Sequence, residues 1–266
     1  MGTEWMVVAI LPDGMDGDDI CNAAEPVFDL IIADLSPWAP EAFISQFNAA
    51  APGTVLHAPE DFRIVLAASA DIAEKSAGAF NPLHRCMPNG PKVGACLKAI
   101  QRDDALIQSG GVMLDLSAAA KGYAVDCLSE ALQQIGVPSF LAEIGGEFVG
   151  HGLKPDGTPW WIDLEPPTAA SGRWRVALST GALATSGMYH DEGHLRLGEN
   201  GGDDIRPLAS VSVLAENCML ADAWATALYV SGARHLELAD AHGVAAVFQY
   251  ADGSSSGSAA LELYLD

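Results

Sequence analysis

Basic residues are scarce: 13 Lys and Arg stand against 35 Asp and Glu in 266 residues, a formal charge of −22. Nucleic acid and anionic membrane surfaces draw on clustered Lys and Arg, so this balance excludes both as partners. An acidic chain that binds a phosphate-bearing ligand must neutralise it locally, with a metal, a helix N-terminus or one placed cation. Cysteine is sparse as well. Cys21, Cys86, Cys96, Cys127 and Cys218 are odd in number and scattered, with no C-x-x-C, which excludes a zinc cluster or disulfide framework and predicts buried thiols. No apolar run reaches membrane-spanning length, so no membrane span is expected. The opening "MGTEWMVVAI" lacks a basic segment followed by a long apolar one. That gives an expectation of a cytoplasmic location, or a periplasmic one if a leader has been removed. Also missing are a Walker-type P-loop, G-x-G-x-x-G and G-x-S-x-G, which removes the ordinary nucleotide-triphosphate, dinucleotide and hydrolase readings.

What is present reads as one domain over 1–266, of α+β or mixed α/β class. "WMVVAI" (5–10) is a strand pattern, and 18–35 carries apolar positions at helical spacing, with Pro26 inside. A loop and a short helix follow over 36–48. Residues 58–78 form a clearer helix, with Pro59 predicted at its first position, acids in the first turn and Gly78 as the stop. Over 121–136, Val125, Leu128, Leu132 and Ile135 fall on one helical face and Gly136 ends the run. Helix, Gly136-Val137 and strand "SFLAEI" are echoed by the helix around 233–242, Gly243-Val244 and strand "AAVFQY", a pattern that two related α/β lobes would produce.

Four stretches could carry chemistry. In "LDLSAAAKGYAVD" (114–126), small residues precede Lys121 where a helix is predicted to open. Free N–H groups and one ammonium there would make an anion site, and a tightly packed turn with a solvated lysine would look the same. In "LADAWATALYV" (220–230), Asp222 and Thr226 project from one helical face. They suit magnesium, or manganese, as hard oxygen ligands; a helix-terminal aspartate beside a packed threonine is the plainer alternative. In "LATSGMYHDEGH" (183–194), a T-S-G turn precedes His190 and His194. The H-E-x-x-H order is absent and Gly193 disfavours a helix, so a general base or a surface loop fits better than zinc. In "AEIGGEF" (142–148), a Gly pair ends a strand, either for close approach to a ligand or simply to turn the chain.

Together and in this order, the segments resemble the ApbE family of flavin transferases. "MGTEW" is similar to the family's M-G-T-x-W, "LSPWAPEAFISQFN" to its S-T-Y-x-x-x-S-x-x-x-x-(F/L)-N, and "GAFNP" to G-A-F-D-P. "LDLSAAAKGYAVD" resembles D-L-G-G-I-A-K-G-Y-A-V-D, "LATSGMY" resembles A-T-S-G-x-Y, and "ADAWATAL" resembles A-D-A-x-A-T-A. The resemblance implies an α+β fold of two related lobes with FAD in the cleft between them. It also implies magnesium-dependent cleavage of FAD, with FMN placed on a threonine hydroxyl of an acceptor protein and AMP released. By the same resemblance, Asp222, Thr226 and the main-chain carbonyl of Ala118 would hold the metal. Met1, Trp38, Ala79, Phe80, Asn81, Asp115, Lys121 and Leu195 would contact FAD, and His194 would be the base, with Asp222 also counted as catalytic. The chain departs from the pattern at two places. "HLRLG" lacks the aspartate and proline of the family's H-I-I-D-P, and Asn81 replaces the aspartate of G-A-F-D-P. These departures keep an FAD pyrophosphatase, giving FMN and AMP, and a non-catalytic flavin-binding protein as alternatives.

Overall fold

The structure is a computed structural model, and it describes residues 3–85, 93–168, 172–187 and 207–264. In chain order the elements are β1 (Trp5–Ile10), α1 (Gly17–Leu35), α2 (Phe43–Ala49), β2 (Val55–His57), α3 (Glu60–Lys75) and β3 (Leu83–Arg85). Then come α4 (Val93–Ile100), β4 (Gln101–Arg102), β5 (Ala105–Ile107), β6 (Met113–Leu114), α5 (Ser117–Gln134), β7 (Ser139–Ile144) and β8 (Glu147–His151). The remainder is β9 (Trp160–Asp163), β10 (Arg175–Leu178), β11 (Ala182–Gly187), β12 (Leu208–Ala215), α6 (Cys218–Val230), α7 (His235–His242), β13 (Ala245–Tyr250) and β14 (Ser255–Gly257).

A seven-stranded antiparallel sheet in the order β1-β7-β8-β11-β12-β13-β14 is the frame. Alternation along each strand decides what it buries. Phe140, Ala142, Val211, Val213, Ala246 and Phe248 point to the main core with α5 and α6. Their neighbours Leu141, Leu214, Ala245 and Val247 point the other way, under the β9–β10 hairpin with Trp160, Ile162 and Leu178. Because both faces are covered, "AAVFQY" reads as a nearly unbroken apolar run.

The α+β expectation holds, and the local echo has a structural counterpart. Val137 N–H bonds the Leu132 carbonyl and Gly136 N–H that of Gln133; Val244 and Gly243 repeat this with Ala239 and Asp240. Both glycines take positive φ, +88° and +64°. Each helix thus ends in the same cap and leads into a strand that opens a hairpin, β7–β8 or β13–β14.

Several boundaries differ from the sequence reading. Pro59 is the cap of α3 and not its first residue, its ψ of 156° keeping it outside the helix. The helix expected from Lys121 begins at Ser117, since the alanine run is itself strongly helix-forming and is absorbed into α5. Ile135 is exposed, because it caps α5 where the chain leaves the buried face. Thr185, Ser186 and Gly187 are paired residues of β11 and not a turn. Cys96 and Cys218 are buried as expected, but Cys21 is exposed. It falls off the buried stripe of Ile20, Ala24, Ile31 and Leu35 on α1. Cys86 lies outside the described residues.

Candidate functional site

Helices α5 and α6 are cross-linked by two carboxylates. At Gly122 they approach so closely that a side-chain methyl would overlap the Cys218 carbonyl. Gly122 N–H donates to Asp222 Oδ2 at 3.1 Å. One turn further along α5, Asp126 accepts from Cys218 N–H (2.7 Å) and Met219 N–H (2.9 Å). Asn217 serves the next donor, Leu220 N–H, so the α6 N-terminus is closed by protein groups.

The Gly122–Asp222 bond assembles the candidate metal corner. In an α-helix the Gly122 N–H points at the carbonyl of Ala118, four residues back. Asp222 therefore bonds the same turn of α5 that carries the Ala118 carbonyl. Thr226 stands one turn on from Asp222, its hydroxyl 3.1 Å from Ser186 Oγ of β11. One carboxylate, one hydroxyl and one carbonyl are hard oxygen donors of the kind magnesium takes from protein, with water and phosphate oxygens completing its shell. Among the described residues no three His, Cys, Asp or Glu side chains gather as a metal site.

Lys121 sits one turn into α5, not at its mouth. Its Nζ donates to Glu147 Oε1 at 2.7 Å, with the lysine side chain 36% exposed and that of Glu147 2%. Burial acts to lower the Lys121 pKa, but the charges of Asp222 and Glu147 outweigh it and hold the ammonium above its usual range. Burial, then the Asp222 charge, pushes Glu147 up to about 8 against the pull of Lys121. Burial also raises Asp222, against Lys121 and the Gly122 N–H. Two enclosed carboxylates thus share one ammonium, an arrangement short of positive charge. Four of the backbone donors around the start of α5 are engaged. Ser117 N–H bonds Asp115 Oδ1, those of Ala119 and Ala120 reach the Leu116 carbonyl, and that of Gly122 reaches Asp222.

The residues assigned to FAD and to the metal fall into two groups. Ala79, Phe80, Asn81 and Asp115 are brought together by the β3–β6 pairing, with Asp115 N–H on the Pro82 carbonyl at 2.8 Å. Phe80 is buried, and Asn81 turns its carbonyl oxygen to Leu83 N–H at 3.0 Å. Trp38 is 70% exposed on the loop before α2. That helix is fastened to the first group by Asn48, whose side chain bonds both the carbonyl and the N–H of Leu114. Lys121, Ala118, Asp222 and Thr226 form the second group. Met1, His194 and Leu195, with His190, lie outside the described residues.

Sequence reasoning missed Glu147 and Asp126. Both sit inside quoted motifs, but in so acidic a chain nothing local separates them from solvated carboxylates. Two surface grooves run beside β1 and the start of α1, lined by none of the site residues. No helix among the described residues is long and apolar enough to cross a membrane.

The ApbE family profile matches residues 1–248. The chain is similar to the FAD:protein FMN transferase of Klebsiella pneumoniae (strain 342), 26% identical over 268 residues that span 87% of this chain and 77% of that one. With the FAD:protein FMN transferase of Haemophilus influenzae it shares 35% identity over 150 residues, half of this chain and 42% of that one. The apo form of the Pseudomonas stutzeri flavinyl transferase ApbE superposes with a TM-score of 0.81 at 26% identity, covering 98% of this chain and 96% of that one.

Proposed function

The chain belongs to the ApbE family, and on that premise we propose that it is a magnesium-dependent FAD:protein FMN transferase that places FMN on a threonine hydroxyl of an acceptor protein and releases AMP. Its relatives carry the name FAD:protein FMN transferase, which makes this chain a flavin-transferring enzyme with FAD as substrate and a protein as acceptor. Metal dependence, the threonine and AMP release are the finer parts of the reading.

The observation that carries it is the hydrogen bond from Gly122 to Asp222, which joins the two segments assigned to the metal. Asp222, Thr226 and the Ala118 carbonyl would hold magnesium, and the ion, when bound, supplies the positive charge that the corner lacks and draws electrons from the diphosphate. Lys121 presents an ammonium to the same diphosphate. Ala79 to Asn81, Asp115 and Trp38 bind and orient the flavin nucleotide. His194 accepts the proton of the threonine hydroxyl as its oxygen attacks the FMN phosphorus, and AMP departs with the bridging oxygen.

The test is mass spectrometry of a threonine-bearing acceptor fragment incubated with the protein and FAD, in magnesium or in EDTA. A metal-dependent gain of one FMN with AMP released is the expected result. FMN and AMP without an acceptor adduct would make the chain a pyrophosphatase. Bound FAD that stays intact throughout would make it a flavin-binding protein.

A further inference from the structure

We propose that Glu147 is a positioning residue of this site, holding the Lys121 ammonium beside the Asp222 corner so that it meets a phosphate oxygen of the flavin nucleotide. The inference rests on the FAD reading above and adds a residue to it.

Glu147 is the first residue of β8, just past the Gly145-Gly146 turn that ends β7. The turn is locked from both sides: Gly145 N–H bonds the Glu4 carbonyl, and Gly146 N–H bonds Glu143 Oε1 at 2.6 Å. A rigid hairpin therefore carries Glu147 beneath α5. The residue is 1% exposed, and its Oε1 accepts a hydrogen bond from the Lys121 ammonium at 2.7 Å. Its other oxygen, Oε2, is buried and has no hydrogen-bond partner among the described residues. A surface glutamate would be solvated; this one is enclosed, and the ammonium of Lys121 is its described donor. About a third of the Lys121 side chain is exposed, so the lysine is gripped by Glu147 without being wholly enclosed. A long, flexible side chain held in this way has lost rotamers before the ligand arrives, which is the structural form of preorganisation. The hairpin that reads in sequence as a turn or a backbone approach thus delivers a carboxylate to the lysine.

A residue that acts through another has no effect once that other is gone, and a double-mutant cycle reads this directly. The variants are Glu147→Gln, Lys121→Met and the pair. For each, FAD affinity is measured by flavin fluorescence in magnesium and in EDTA, and FMN transfer is timed at saturating FAD. In the presence of Lys121, Glu147→Gln is expected to lower the transfer rate by about 10- to 100-fold, as losses of an orienting partner do. FAD affinity is expected to change by only about threefold. On top of Lys121→Met, it should change neither quantity by more than about twofold. Glu147→Asp, which keeps the charge and shortens the reach, is expected to slow transfer in the same way and decides the matter if the Gln variant does not fold. Equal losses from Glu147→Gln with and without Lys121 would overturn the proposal, since a purely structural role in the hairpin adds to any other defect. So would a Glu147→Gln variant that transfers at the parent rate. A parent chain that binds no FAD would overturn the FAD reading itself, whereas normal FAD binding with an additive cycle overturns the positioning role alone.

Discussion

Asp126 and Asp222 perform the same act in opposite directions. Each reaches from one of the two crossing helices and accepts a main-chain N–H from the other. Their surroundings differ. Asp126 spends both oxygens on the α6 N-terminus, where two donors and the helix dipole welcome it. Asp222 is 4% exposed, accepts from Gly122, and shares the Lys121 ammonium with Glu147. One carboxylate is consumed by the fold, while the other serves the fold and still has neighbours that call for a cation. A hydrogen bond between helices therefore does not by itself mark a residue as structural or functional; the charge left over after the bond is made does.

The sharpest way to break this comparison is to remove each carboxylate in turn. Asp222→Ala is expected to cut metal-dependent transfer by about 100- to 1,000-fold, with circular dichroism showing a folded chain. Unchanged transfer would mean that Asp222 is as structural as Asp126. Gly122→Ala attacks the crossing that both acids depend on, since its methyl would overlap the Cys218 carbonyl in the backbone of α6. We expect a loss of about 3 kcal/mol in unfolding free energy by urea titration. A loss under about 0.5 kcal/mol would show that the helices can part at no cost.

Asp126 sharpens the contrast through pH. Burial holds its pKa up at about 6, from an ordinary value of 3.8, although its two N–H partners pull it down. The folded chain therefore binds this proton more tightly than the unfolded one, so Asp126 favours folding below about pH 4 and loses that contribution as pH rises through 6. Relative to Asp126→Asn, the parent chain should lose about 2 kcal/mol between pH 4 and 7. A pH-independent difference in urea midpoint would refute the assignment. The smallest effect is expected from Ser186→Ala, which removes the hydroxyl beside Thr226. It should raise the magnesium concentration for half-maximal transfer by about fivefold, near 1 kcal/mol, with no change in FAD affinity.

Periodicity made α1 and α3 legible in sequence, because each buries one face, and short apolar runs marked β7 and β13, which are covered on both faces. Composition hid the start of α5: small residues that suggest close approach are also good helix formers, and here they are both. Strand β11 was hidden because Thr, Ser and Gly read as a turn when the pairing with β12 cannot be seen. At the site, Asp222, Thr226, Ala118 and Lys121 were legible through motif resemblance. What they do to one another was not. The Gly122–Asp222 and Asp126–Cys218 bonds join residues 100 and 92 positions apart, and nothing near Glu147 in sequence announces Lys121, 26 positions earlier. Contacts of that span are decided by topology and leave no local trace.

The same span governs when the site comes into being. During synthesis α5 leaves the ribosome well before α6, and at about 5–20 residues per second the intervening hundred take roughly 5–20 s. For that interval Gly122 lacks its aspartate and Asp126 lacks the amides it caps. The crossing of α5 and α6 is complete only when the second half arrives to join the first.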